Sequence, residues 1–122
     1  MLIIYDSMTG NVQRFINKLT KYKCIKIEEG LEHKEPFILV TYTTGFGQVP
    51  DSVVKFLNAN HLYLKAVAAS GNKNWGAYFA NSGEVISKAF NVPLILKFEM
   101  SGSSEDVNRF IQEVKRIDRS NS

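Results

Sequence analysis

The chain predicts an α/β protein: a doubly wound parallel sheet of five strands with helices on both faces. Three observations carry this. Apolar runs of strand length alternate with amphipathic helical stripes along the whole sequence. The run Phe37-Ile38-Leu39-Val40-Thr41-Tyr42 is nearly continuous in apolar character, as a strand covered on both faces must be, whereas Cys24-Ile25-Lys26-Ile27-Glu28 and the later half of Leu94–Met100 alternate as edge strands do. With 122 residues, 44% of them hydrophobic and 22% charged, the chain has the material for one globular core and not two. The domain is expected to span residues 1–118, followed by a polar tail, 119–122.

Taken in order, Leu2-Ile3-Ile4-Tyr5 is the first strand and stops at Ser7-Met8-Thr9-Gly10-Asn11. Val12, Phe15, Ile16 and Leu19 then fall at helical spacing, with Arg14, Lys18 and Lys21 on the opposite, wet face. Cys24 to Glu28 is the second strand. The link from Glu29 to Pro36 has no amphipathic pattern and is shorter than the dozen or so residues of a helical crossover, so a bare loop is expected there. After the central strand, Thr43 to Pro50 places two glycines around Phe46, and Pro50-Asp51-Ser52 starts a helix with Val53, Val54, Phe56 and Leu57 as its apolar stripe. Leu64 to Ala69 is the fourth strand, and it ends in Ser70-Gly71-Asn72-Lys73-Asn74-Trp75-Gly76. A third helix follows, with Ser82 as its cap and Val85, Ile86, Ala89 and Phe90 as its buried face, until Val92-Pro93 breaks it. Leu94 to Met100 is the fifth strand. Ser103 and Asp106 have capping-box spacing before a last helix built on Val107, Phe110, Ile111, Val114 and Ile117, with fraying expected beyond Asp118.

Composition removes several functional classes. Cys24 is the only cysteine, so neither an internal disulfide nor a thiolate metal cluster can form, and His33 and His61 lie far apart and read as surface residues. A net charge of +3 with scattered lysines does not argue for nucleic acid. No apolar run approaches the roughly 20 residues of a membrane span. Met1 leads straight into a strand without a signal-peptide pattern, so no membrane partner and a cytoplasmic location are expected.

The chemistry should lie in three loops. A strand that stops at small hydroxyl-bearing residues and turns into a helix leaves several backbone N–H groups facing one point, and Gly10 supplies the freedom in φ that the turn needs. The loop has no Gly-Lys-Ser/Thr and no Gly-x-Gly-x-x-Gly, so what it suits is a single terminal phosphate held by hydroxyls and amides. On these residues alone, plain N-capping explains the hydroxyls equally well. Two further loops leave carboxyl ends of strands, where open α/β sheets bind ligands: Thr43 to Val49 and Ser70 to Tyr78. Both combine flexible glycines with aromatics, Phe46, Trp75, Tyr78 and Phe79, that could stack on a flat ring. Phe79 also reads as core and Trp75 as a lid on the sheet. Phe46, set between two glycines, gains nothing from local backbone preference and implies a contact beyond its own turn. A flat ring with one phosphate tail points to flavin mononucleotide (FMN).

Ser7-x-Thr9-Gly10-Asn11 after a first strand resembles the phosphate loop of flavodoxins. The match narrows with Thr44-Gly45-Phe46-Gly47-x-Val49-Pro50, Val53 and Phe56-Leu57, then Ser70-Gly71-Asn72-Lys73-Asn74-Trp75-Gly76, Pro93-Leu94 and Phe98-Glu99-x-x-Gly102. Together these resemble the small flavodoxin-like family that accompanies class Ib ribonucleotide reductase, the ribonucleotide reductase stimulatory proteins. The resemblance implies strand order 2-1-3-4-5, one bound FMN, no metal, a reductant or flavodoxin reductase as electron source, and the dimanganese radical subunit of that reductase as partner. It implies that the reduced flavin reacts with oxygen to supply a superoxide-type oxidant for assembly of the tyrosyl radical cofactor. Carried over, Ser7, Thr9, Gly10 and Asn11 would hold the phosphate, with Met8 and Val12 also among the cofactor-binding residues. Thr43, Thr44, Gly45, Phe46 and Gly47 would lie by the reactive edge, and Gly71 to Gly76, with Gly71, Asn72, Asn74, Trp75 and Gly76 as contacts, would wrap the rest of the ring, Ser70 and Tyr78 being further cofactor-binding residues. No side chain need act as acid or base, because the cofactor carries the chemistry. Gly45 and Phe46 would tune the flavin, the Gly45 peptide being free to turn its carbonyl or N–H toward the ring.

Unlike typical electron-carrying flavodoxins, which are longer and strongly acidic, this chain is short and basic. A less negative surround disfavours the anionic reduced flavin less, which favours two-electron reduction. A general electron-transfer flavodoxin for another reductase is the nearest rival. A flavin-free receiver domain would need clustered carboxylates after the first strand and an aspartate after the third, where Asp6 stands alone and Thr41-Tyr42-Thr43 occurs. A phosphatase of this topology would need a cysteine in the first loop.

Overall fold

In the computed structural model, which describes residues 1–121, five parallel strands form one sheet: β1 (Leu2–Tyr5), β2 (Cys24–Lys26), β3 (Phe37–Thr41), β4 (Leu64–Gly71) and β5 (Leu94–Glu99), in the order β2-β1-β3-β4-β5. Every pairing is parallel, with Ile3 opposite Cys24 and Ile38, and Val40 opposite Ala68. The side-chain period of two splits the apolar residues between two faces. Ile3, Tyr5, Ile38, Val40, Ala66 and Ala68 face one core, and Leu2, Ile4, Phe37, Leu39 and Val67 face the other.

The helices are α1 (Asn11–Asn17), α2 (Asp51–Asn60), α3 (Asn81–Phe90) and α4 (Ser104–Asn121). Val12, Phe15 and Ile16 of α1 and Val107, Phe110, Val114 and Ile117 of α4 cover the first face, where Phe15 stacks on Phe98 at 4.1 Å and meets Phe110 edge-on at 5.4 Å. Val53, Phe56 and Leu57 of α2 and Ile86 of α3 cover the second. Right-handed crossovers require this division, because the chain moves one way across the sheet from β1 to β2 and the other way from β3 onward. The same rule sends the link between β2 and β3 over the second face. It contains no helix, as expected, and Ile27 and Leu31 pack on the α2 and α3 core in a helix's place.

Several local expectations are corrected. Ser82 is not the cap of α3, because Ala80 takes that position at φ 50° and Ser82 is fully buried one residue inside the helix. Val85 and Ala89 are exposed, and α3 turns Ser82, Gly83 and Ile86 to the sheet instead. Val54 of α2 is also exposed. The second strand stops at Lys26, and residues 73–78 form a short 3-10 segment kinked at Gly76. Helix α4 continues through Asn121, past the expected boundary at Asp118, while Ser122 of the expected tail lies outside the described residues. The capping box is formed: the Ser103 N–H donates to Asp106 Oδ2 at 2.9 Å and the Asp106 N–H to Ser103 Oγ at 3.1 Å.

Candidate ligand cleft at the carboxyl ends of the strands

The winding direction reverses between β1 and β3, so the loops after these strands diverge and leave a crevice. Four loops converge on it. From the first come Ser7, Met8 and Thr9, with Asn11 and Val12 at the start of α1; from the second come Tyr42, Thr43 and Gly45. The third supplies Ser70, Gly71, Asn72, Trp75, Tyr78 and Ala80, and the turn after β5 supplies Met100. The cleft holds about 160 Å³. A pocket that swallows a small molecule is about 300 Å³ or larger, so a ligand of that size seated here keeps part of itself in solvent. Larger hollows lie under the helix-free crossover, about 440 Å³ between Ile27, Leu31 and Phe56, and beside Tyr42 and Ser52, about 630 Å³. Neither gathers the loops after β1, β3 and β4 into one site, so the smaller cleft is the better candidate.

The first loop is tied down at both ends. Asp6, only 8% exposed, accepts the Ser7 N–H at 2.9 Å through Oδ1 and the Ser52 hydroxyl through Oδ2, which links the loop to the start of α2. Ser7 Oγ accepts the Gln13 N–H at 3.1 Å, so the serine does cap α1, from six residues away. Among the described residues no acceptor takes its hydroxyl proton. The Arg14 N–H bonds to the Gly10 carbonyl at 3.0 Å, so of the three earlier helix donors Gln13 is taken by Ser7 and the N–H groups of Asn11 and Val12 remain for a ligand. Gly10 itself sits at φ 92°. Helix α1 has only seven residues, so these local donors and not a long helix dipole make the loop attractive to an anion.

The second loop is a tight turn. Thr44 and Gln48 exchange two backbone hydrogen bonds, at 3.0 and 2.7 Å, around Gly45 at φ 53° and Gly47 at φ 87°. Phe46 projects from its tip, 69% exposed, and meets Trp75 edge-on at 5.7 Å and Tyr78 at 6.2 Å. That is the contact beyond its own turn, and it joins the second loop to the third. Beneath them, Thr43 Oγ1 contacts Ser82 Oγ at 2.7 Å and donates to the Ser70 carbonyl at 2.9 Å, while Ser82 Oγ donates to the Tyr42 carbonyl at 3.0 Å. Here Ser82 joins β3, β4 and α3 under the cleft floor. The Tyr42 phenol is held above its ordinary value first by burial and then by the negative charge of Asp6.

Gly10, Thr44, Phe46, Gly47, Asn74 and Gly76 belong to the converging loops without lining the cleft, and Phe79 is half-buried. Tyr42, Ala80, Met100, Asp6 and Arg14 escaped the sequence reading. Arg14 was placed on the wet face by periodicity; its guanidinium lies over the Gly10 turn, with Nη1 2.9 Å from where a Cβ on Gly10 would be. Among the described residues, no group of three or more histidine, cysteine, aspartate or glutamate side chains is placed to hold a metal ion, and no helix is long and apolar enough to cross a membrane.

Relatives extend the geometry. Residues 3–112 match the NrdI flavodoxin-like family. The chain belongs to that family. Among proteins similar to this NrdI-family chain, Protein NrdI of Bacillus licheniformis is 51% identical over 117 residues, covering 94% of this chain and 88% of the relative. Protein NrdI of Macrococcus caseolyticus is 46% identical over 117 residues, covering 96% and 91%. Solved structures share the fold at low identity. A short-chain flavodoxin associated with a non-canonical PDU bacterial microcompartment superimposes with TM-score 0.75 at 19% identity over 100% of both chains. A pneumococcal flavodoxin, from Streptococcus TIGR4, does so with TM-score 0.73 at 21% identity over 97% of both.

Proposed function

We propose that this NrdI-family protein binds one FMN in the cleft and supports class Ib ribonucleotide reductase. The observation that carries the reading is the pairing of two chemistries in one crevice: anion-binding donors at Thr9, Asn11 and Val12 at one end, and the aromatics Trp75 and Tyr78 with Gly45 and Gly71 at the other. The residues fit the cofactor. The Ser7–Val12 loop offers hydroxyls and amides for a phosphate, Gly45 and Gly71 let backbone approach a ring, and Trp75 and Tyr78 offer flat faces.

In this reading the chain orients, shields and tunes. The chemistry that FMN would supply there is electron transfer to oxygen, which would furnish a superoxide-type oxidant for the dimanganese radical subunit. The tight Thr44–Gln48 turn would hold the Gly45 peptide beside a bound ring, and the shallow cleft would leave part of the ring open toward a partner. Five exposed apolar residues, Met8, Phe46, Trp75, Tyr78 and Met100, surround that opening, as a docking rim would. The expected electron source is a reductant or flavodoxin reductase, and the expected location is the cytoplasm.

The test has two stages. The purified protein should be yellow or take up FMN stoichiometrically, and a preparation that cannot be loaded ends the proposal. Mixing the loaded, reduced protein with oxygen and the manganese-loaded radical subunit should then give the electron paramagnetic resonance signal of a tyrosyl radical. Flavin loading without radical formation would assign the protein to general electron transfer.

A further inference from the structure

The side chain of Asn11 stands in a triangle with Arg14 and Ser101. Arg14 Nη2 donates to Asn11 Oδ1 at 2.6 Å, Ser101 Oγ donates to the same oxygen at 3.1 Å, and Arg14 Nε donates to Ser101 Oγ at 2.9 Å. An asparagine amide is ambiguous by shape alone, with an acceptor oxygen and a donor NH2 that can exchange places, and its hydrogen-bond network decides which way it faces. Guanidinium can only donate. Two donors on Oδ1 therefore fix the orientation and leave the Nδ2 hydrogens of Asn11, a residue lining the cleft, turned away from the triangle.

The triangle is braced from outside. Lys18 Nζ holds the Gly102 carbonyl at 3.1 Å and the Ser101 carbonyl at 3.4 Å. Gly102 lies close against Phe15, where a Cβ would approach the ring to 2.8 Å. Ser101 is thus held by the cations Arg14 and Lys18, and its neighbour Gly102 is packed on the core.

The geometry points to Arg14 and Ser101 as positioning residues that hold Asn11 as a hydrogen-bond donor toward the ligand's phosphate. Arg14 also leaves a positive charge beside the Gly10 turn. This rests on the FMN reading above, and the experiment separates the two. Riboflavin carries the same ring and ribityl chain without the phosphate, so it reports on everything except the group in question. FMN and riboflavin are titrated against wild type, Arg14→Gln, Arg14→Lys and Ser101→Ala by flavin fluorescence. Arg14→Gln should raise the Kd for FMN about 10- to 100-fold, and Ser101→Ala by about 3- to 10-fold, each with riboflavin affinity within a factor of about two. Arg14→Lys keeps the charge but not the two-point fork, and should also lose part of the preference for FMN. Equal losses for both flavins, no loss for either, or wild-type preference in Arg14→Lys would overturn the inference. A wild-type protein that binds neither flavin would overturn the FMN reading and this inference with it.

Discussion

Single residues at the cleft are constrained by backbone conformation as much as by side-chain chemistry. Gly47 sits at φ 87°, and a Cβ there would lie 2.8 Å from the Asn81 Cβ and 2.9 Å from Nδ2, the atom that donates to the Gly47 carbonyl at 3.0 Å. Gly47→Ala must therefore strain the backbone, displace Asn81, or both. It is expected to destabilise the protein by about 1–3 kcal/mol, read as a lower urea midpoint with unchanged slope. The glycines around Phe46 were legible in the sequence as a special turn, but Asn81, the residue that crowds Gly47, was not. A still larger separation in sequence hid the pairing of Arg14 with Ser101. Helical periodicity assigns a residue to a face and says nothing of a loop 87 residues later that folds back onto it.

Among the elements, α3 shows where apolar periodicity misleads. Its buried face is Ser82, Gly83 and Ile86, while Val85 is 45% exposed. The reason is close approach. A Cβ on Gly83 would stand 2.7 Å from Leu94 Cδ1 and 2.9 Å from the Ala69 Cβ, so the helix lies on the sheet where only small residues fit. Gly83→Ala should therefore cost stability, by about 1–3 kcal/mol from overpacking, although alanine improves intrinsic helix propensity by up to about 1 kcal/mol. Thermal unfolding measures the balance, and a gain in Tm would show that α3 shifts outward freely. The helix-free link before β3 was legible for the opposite reason. A parallel crossover needs a minimum length for a helix, and counting residues is enough to see that eight cannot supply it.

For the molecule as a whole, three groups among the described residues titrate above their ordinary values. Burial raises the Cys24 thiol, burial and then Asp118 raise Tyr22, and burial and then Asp6 raise Tyr42. In each case the folded state favours the neutral form. Their contribution is complete below the ordinary values, 9.0 for the thiol and 10.0 for the phenols, and is lost as pH rises through and beyond them. Tm should fall from about pH 9 upward, and Tyr42→Phe should shallow the upper part of that decline. A Tm independent of pH between 8 and about 11 would contradict the assignment. The sequence by itself determined the strands, the order of elements and the three loops that converge on the cleft, because periodicity, strand length and turn residues are local quantities. Only the tertiary structure decided which cation stands over the first loop, which way Asn11 faces, how closely α3 approaches the sheet and what lies beneath the cleft floor. Those depend on contacts between segments tens of residues apart, and such contacts form only once the two cores have packed.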